Sequence, residues 1–275
     1  MVHERAVQHP RVAYMLAAGS FLGKVLLIDP ESGKTHVEVR RAHRGPCKAV
    51  TVSPDGTLVA SGGYDALVKL WNMCGEEHVR LVGHSKPITA VNFCDDQSVL
   101  ASSSEDGSIH LWDTATGELM RVLGPINCEV HCVAFDPSAK GGSRLASGGH
   151  DCRVRQWALH GGTSHGHAMC EPTVREYVPA AERVPGENLA HQKPVVSLAY
   201  SPDGGRLACG YASGRIEVLD AVLGLMLHMI CPTRPNRSFT NMVAFSPDGL
   251  TLAFRFFPPH LATTDHATHF LFTRI

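Results

Sequence analysis

Two serines in this chain have the neighbours that could make them nucleophiles. His43, Ser61, Asp65 and Trp71 recur at the same spacing as His84, Ser102, Asp106 and Trp112. Serine, histidine and aspartate are what acyl transfer needs, the imidazole taking the hydroxyl proton while the carboxylate fixes its tautomer. Repetition argues against that chemistry, because an enzyme needs one activated serine with an oxyanion site beside it and gains nothing from a second set. A third set, Ser147, Asp151 and Trp157, has Pro125 and Ile126 where its histidine would fall. A fourth keeps His191 but has Cys209, Ser213 and Leu219 in the other places. The expectation is therefore no catalytic residue, with a Ser/His/Asp hydrolase as the weaker alternative.

Other chemical signatures fail on spacing. Ser32-Gly33-Lys34-Thr35 ends like a phosphate-binding loop, but Ile28 occupies the position that must be the first glycine, so a hairpin over Pro30 to Gly33 is expected instead. His160, His165, His167 and Cys170 are zinc-ligand types lying within a 21-residue excess over the repeat. Glycines at 161, 162 and 166 deny that loop a rigid frame, so a flexible surface loop is expected, with no metal and no cofactor.

The elements that carry the serines repeat. Leu58-Val59-Ala60-Ser61-Gly62-Gly63-Tyr64-Asp65 precedes Val68-Lys69-Leu70-Trp71, Leu100 to Asp106 precedes Ile109-His110-Leu111-Trp112, and Leu145 to Asp151 precedes Val154-Arg155-Gln156-Trp157. All three tryptophans hold one repeat position, 41 and 45 residues apart. Weaker copies put Ile28 and Leu219 in that position. Ser53-Pro54-Asp55-Gly56, Ser201-Pro202-Asp203-Gly204 and Ser246-Pro247-Asp248-Gly249 each follow a short apolar run, and Pro-Asp-Gly is turn chemistry. Each unit reads strand, turn, strand, Asp-containing turn, strand, which predicts an all-β chain whose units bury their faces by stacking. Unit boundaries fall near 1–42, 43–83, 84–123, 124–190, 191–231 and an incomplete 232–275, all within one domain spanning 1–275.

The period, the Trp-Asp pair at Trp112-Asp113 and the Gly83-His84 pair together resemble the WD-repeat β-propeller family over about residues 1 to 255. That resemblance implies a propeller of about five full blades plus a partial sixth. It also implies that His43, Ser61, Asp65, Trp71, His84, Ser102, Asp106, Trp112, Ser147, Asp151 and Trp157 serve a structural hydrogen-bonded network rather than catalysis, with blades two and three the stiffest. Turns gathered on one propeller face would present Arg44, Tyr64, Lys86, Glu105, His150 and Lys193 to a partner, along with Phe21 and Ala212. The function implied is a non-enzymatic scaffold docking partner proteins or peptides. A substrate-receptor subunit of a ubiquitin ligase is the alternative, although none of the sequences after Trp71, Trp112 and Trp157 matches the Trp-Asp-x-Arg pattern of such receptors.

Composition sets the remaining bounds. Hydrophobic residues make up 44% and charged ones 19%, enough for a large core. Lys plus Arg number 25 against 26 Asp plus Glu, so no strong field favours nucleic acid or an anionic membrane as partner. Nine cysteines lie scattered without a Cys-x-x-Cys pair, which points to reduced thiols and an intracellular, cytoplasmic setting, compatible with nuclear, cytoskeletal or ciliary association. Pro258 and Pro259 fall where the sixth unit needs a tight turn, and the ending from Thr268 to Ile275 matches no unit. Either the tail supplies a makeshift third strand that closes a small or distorted ring, or the chain is a piece of a longer propeller whose terminal blades would pair with another β-rich chain. The second is expected because two prolines deny ladder hydrogen bonds.

Overall fold

Short β-branched runs bounded by Gly, Asp and Pro leave no stretch long enough for a helix, and the computed structural model shows the consequence. It describes residues 7–9, 12–159, 173–177, 193–230, 239–257 and 269–274. These form twenty-three strands, with one 3-10 turn at Lys140–Gly142.

The strands lie in sheets of chain order. The first holds β1 (Val7–His9), β2 (Val12–Gly19), β3 (Val25–Ile28) and β4 (Thr35–Val39); the second β5 (Cys47–Val52), β6 (Leu58–Gly63), β7 (Leu67–Asn72) and β8 (Glu77–Val82). The third holds β9 (Ile88–Phe93), β10 (Val99–Ser104), β11 (Ile109–Asp113) and β12 (Leu119–Leu123); the fourth β13 (Val130–Phe135), β14 (Arg144–Gly149), β15 (Val154–Ala158) and β16 (Thr173–Tyr177). The fifth holds β17 (Val195–Tyr200), β18 (Arg206–Tyr211), β19 (Ile216–Asp220) and β20 (Met226–Ile230). The sixth has three strands, β21 (Phe239–Phe245), β22 (Thr251–Phe257) and β23 (His269–Arg274). Neighbours within each sheet are antiparallel wherever the register is defined, so each sheet is a meander joined by tight turns.

In the sixth sheet the strand that the sequence left as the alternative for the tail is present. The tail that matches no unit supplies its third strand, Leu252 opposite Thr273 and Phe254 opposite Leu271. Alternating Phe and Leu suffice for antiparallel pairing, which needs no repeat signature. Pro258 and Pro259 lie outside the described residues, as do the His160–Cys170 cluster and His191.

By internal contacts the chain divides into two compact units, one holding residues 1–133, 140–142 and 161–169, the other 134–139, 143–160 and 170–275. Within the first, Met15, Ala17, Val25 and Leu27 pack with Val50, Val52, Val59 and Trp71. A second layer joins Ala60, Val68 and Leu70 to Ile88, Phe93, Leu100 and Trp112. In the other unit Ile216 and Val218 meet Val243, Leu252 and Phe254. Each Val, Leu, Ile, Met or Phe side chain so buried contributes about 1.5–3 kcal/mol, so a sheet draws much of its stability from its neighbour. Burial falls from the middle of a sheet outward: β10 is buried throughout, whereas β8 and β20 are largely exposed.

The sheets share two local devices. In the first, second, third and fifth sheets the fourth strand slips register by one residue opposite the tryptophan position, at Leu27/Ile28, Leu70/Trp71, Leu111/Trp112 and Val218/Leu219, whereas β16 keeps unbroken register opposite Trp157. The Ser-Pro-Asp-Gly turns close on themselves, Ser53 Oγ donating to Asp55 (2.6 Å) while accepting from the Leu58 amide (2.9 Å). In the third sheet Cys94-Asp95-Asp96-Gln97 builds the same turn without the motif. Its thiol donates to Asp96 at 2.9 Å and accepts the Val99 amide at 3.1 Å.

Candidate functional site

The sets that could be catalytic are assembled with triad-like distances. In the second sheet His43 Nε2 lies 2.7 Å from Ser61 Oγ and Nδ1 lies 2.9 Å from Asp65, while Trp71 Nε1 donates to the same Ser61 oxygen at 2.8 Å. The third sheet repeats this, with His84 Nε2 to Ser102 at 2.8 Å, Nδ1 to Asp106 at 2.9 Å and Trp112 Nε1 to Ser102 at 2.8 Å. Indole nitrogen can only donate, so each serine accepts from tryptophan and gives its own proton to histidine Nε2. The histidine proton then sits on Nδ1 and goes to the carboxylate. The amides of Arg44 and Ser85 also donate to Asp65 and Asp106, both at 3.0 Å, tying the segment before the first strand to the turn between the second and third.

Burial decides between scaffold and nucleophile. Ser61 and Ser102 have no exposed surface, and each serine oxygen is occupied by an indole donor. No substrate carbonyl reaches such an oxygen, and no oxyanion can form beside it. Burial pushes the His43 and His84 rings below the usual imidazole range, outweighing the attraction of Asp65 and Asp106. Burial would raise Asp65, but the Arg44 amide and the His43 ring hold it below the ordinary carboxylate range. Asp106 behaves likewise, held down against burial by the Ser108 hydroxyl, the Ser85 amide and His84. The result is a neutral imidazole between a serine and an ionised carboxylate, every member satisfied.

The incomplete sets find substitutes. Trp157 Nε1 donates to Ser147 at 2.9 Å, and Asp151, in the set without a histidine, takes an ion pair from Arg155 at 2.5 Å. In the fifth sheet, where Cys209, Ser213 and Leu219 replace the network, Tyr211 donates to the fully buried Glu217 at 3.0 Å. The Arg215 guanidinium lies 4.7 Å from the Tyr211 ring centre and its Nε 3.3 Å from Glu217. Together these reveal a position the motif reading passed over, two residues before the tryptophan slot. It is Lys69, His110, Arg155 or Glu217, polar inside an apolar strand. Lys69 pairs with Glu77 at 3.1 Å and sits 5.3 Å from the Trp71 ring centre. His110 stacks on His84 at 3.7 Å, with its Nδ1 buried and unpaired, and burial drives its pKa down to about 4. The signal was in the sequence, as a polar residue at the same place in four strands, alone in three apolar runs and beside Gln156 in the fourth.

Two of the cysteine thiols are equally enclosed, whereas Cys74 is exposed. Burial pushes the Cys47 thiol up to about 12 and Cys94 up to about 11, so neither supplies a thiolate. The Ser32-Gly33-Lys34 segment is the expected hairpin, with the Gly33 amide on the Asp29 carbonyl and the Glu31 amide and Ser32 hydroxyl on the Asp29 carboxylate. A carboxylate thus fills the place a phosphate would need. In the second unit a cavity of about 250 Å³ has Gln156, Arg175, Glu176 and Asp220 among its lining. No Ser, Cys or His lines it, and both carboxylates are engaged, Glu176 by Arg153 and Arg155 and Asp220 by the Val222 and Leu223 amides.

The residues assigned to partner docking divide. Arg44, Lys86, His150 and Lys193 are exposed, Tyr64 is 48% exposed and Glu105 half-buried. Phe21 is 83% exposed. Tyr64 and Glu105 are brought together by a residue not foreseen from sequence. Lys48 on β5 places its ammonium 4.7 Å from the Tyr64 ring centre and 2.6 Å from Glu105. Its single charge within the run Cys47 to Val52 was the available signal.

The model for the WD domain, G-beta repeat, matches residues 34–72, 75–113 and 117–158. Each match starts at or just before the outer strand of one sheet and ends at the third strand of the next, so the sequence repeat straddles the sheets. The model for the anaphase-promoting complex subunit 4 WD40 domain matches residues 180–248. None of the curated proteins matches the chain. With the repeated Trp-Ser-His-Asp chains, the four-stranded meanders and two WD40 models on separate stretches of sequence, the chain belongs to the WD-repeat β-propeller family.

Proposed function

We propose that this chain is a non-enzymatic interaction scaffold, a subunit of a protein complex that holds partner proteins on turns carried by rigid sheets. WD40 repeats indicate such scaffolds as a class, and the second match is to a domain of a complex subunit by its own description. The observation that carries the reading is the fate of the reactive groups. Every described serine-histidine-aspartate set is buried and internally satisfied, while a basic and aromatic group of turn residues stays at the surface.

The docking element we favour is the turn surface of the second and third sheets. Lys48 is braced between Tyr64 and Glu105, so it is ordered before a ligand arrives, and Arg44 and Lys86 stand exposed one and two residues after the network histidines His43 and His84. Pre-ordered aromatic and cationic side chains lose little entropy on binding, which suits an extended peptide with acidic or phosphorylated residues. Arg44→Glu with Lys86→Glu should abolish co-purification of a bound partner while the melting curve stays unchanged. Retention of every partner by that variant would move the site elsewhere.

A further inference from the structure

In the second, third and fifth sheets a proline stands just before the first strand, and its carbonyl accepts the amide of the residue just after the second strand. The pairs are Pro46 with Tyr64, Pro87 with Glu105 and Pro194 with Ala212, at 2.9, 3.1 and 2.9 Å. In the fourth sheet the same two places hold Glu129, ahead of β13, and His150, directly after the neighbouring β14. His131 on β13 takes the place that Lys48 has on β5, where the lysine meets Tyr64. A carboxylate and two imidazoles therefore share one end of one sheet. A ligand atom from each lies within 4.8 Å of the other two, and among the described residues this is the single group of three such side chains that could hold a metal ion. No motif joins them along the chain, because His150 lies on a different strand from Glu129 and His131.

Ligand atoms about 2.1 Å from a tetrahedral zinc stand about 3.4 Å apart, so small side-chain rotations close the separations. The backbone that carries the three is already fixed. Thr89 Oγ1 donates to the Val130 carbonyl at 2.6 Å, between Glu129 and His131. Directly after His150, the Asp151 carboxylate takes the Arg153 amide at 3.2 Å and the Arg155 guanidinium at 2.5 Å, and the Cys152 amide reaches the Gly149 carbonyl at 3.2 Å. Little order therefore has to be gained when a cation gathers the ligands. Two imidazoles with one carboxylate suit zinc, whereas calcium and magnesium take oxygen donors. Glu129 and His150 are exposed and His131 half-buried, so a hydrated cation can enter, and three protein ligands leave one tetrahedral position open.

We propose that Glu129, His131 and His150 bind one zinc ion at the open end of the β13–β14 hairpin, with the fourth position left to an exchangeable ligand. The test is calorimetric titration of zinc chloride into the full chain after removal of metal by a chelator. One equivalent should bind with a dissociation constant of about 10 μM or tighter. His131→Ala and His150→Ala should each weaken binding at least about tenfold, since losing even an outer partner of a zinc ligand costs about 10–100-fold. Their circular dichroism spectra should match the wild type. Glu129→Gln, isosteric and exposed, serves the same purpose should a histidine variant misfold. Cobalt(II) in place of zinc should give the visible absorption of a four-coordinate site, lost in the same variants. His160, His165, His167 and Cys170 are also ligand types, so His165→Ala/His167→Ala is the control and should bind zinc as the wild type does. No zinc bound below about 100 μM, binding that survives all three single substitutions, or binding lost in the control variant overturns the proposal. Because Arg44 and Lys86 are not among the ligands, that outcome leaves the scaffold reading intact.

Discussion

At the scale of single residues, the same three side chains that hydrolyse bonds elsewhere here hold strands together, and the difference lies in what else touches the serine. An indole N–H occupies the oxygen that would attack, and burial removes the space for a substrate. Asp106→Ala should lower unfolding free energy by about 1–3 kcal/mol by leaving His84 and the Ser85 amide unpaired. Trp112→Ala should cost about 3–5 kcal/mol, since it also empties a core position. Urea titrations check both. Protons act on the same residues. His43, His84 and His110 are all lowered by burial, so across the interval below the free imidazole pKa of about 6.5 the unfolded chain binds more protons than the folded one. Stability should be full above about pH 7 and fall as pH drops through 6.5. The part due to His110 falls until its folded value of about 4. Asp65 and Asp106, lowered in the fold, add a further loss below about pH 4. His110→Leu removes an unpaired buried nitrogen, so it should flatten the slope between pH 6.5 and 4. An unaltered slope would mean that His110 titrates normally.

At the scale of the element, the turn between second and third strands imposes one backbone requirement that the residues meet unequally. The residue following the Asp position has positive φ in each of the five such turns among the described residues: Gly23, Ala66, Gly107, Cys152 and Gly214 at 73°, 61°, 81°, 66° and 86°. Glycine adopts this region freely, and an L-residue pays roughly 1–2 kcal/mol for it. Ala66→Gly should therefore raise stability by up to about 1 kcal/mol, the gain reduced by the extra freedom of the unfolded chain. Gly107→Ala should lower it by about 1–3 kcal/mol. There a Cβ would stand 2.2 Å from the Ile126 carbonyl oxygen, so strain and collision combine. Shifts of the denaturation midpoint in opposite directions are the expected result.

At the scale of the whole molecule, stability in a repeat fold is a sum over units and their neighbours, so it need not be even. The second and third sheets hold complete networks and pack on each other, whereas the fifth relies on Tyr211, Glu217 and Arg215. Native-state hydrogen exchange should show the amides of β6, β7, β10 and β11 most protected and those of β18 and β19 opening at lower free energy. Equal protection throughout would mean that the networks add little beyond apolar packing.

The sequence alone settled the all-β class, the strand order within each unit, and which four residue types belong together. These rest on local chemistry: period, turn residues and alternation are properties of neighbours along the chain. It also exposed the decay of the network in the fourth and fifth units. What required the tertiary structure was everything depending on a contact across sequence distance. Asp151 found Arg155, Lys48 joined Tyr64 to Glu105 across two sheets, and His110 stacked on His84. Cys94 took over a turn whose motif is absent, and the unmatched tail became β23. Whether Ser61 and Ser102 could react was likewise a question of burial, which is set by the neighbouring sheet and not by the residues beside them in sequence.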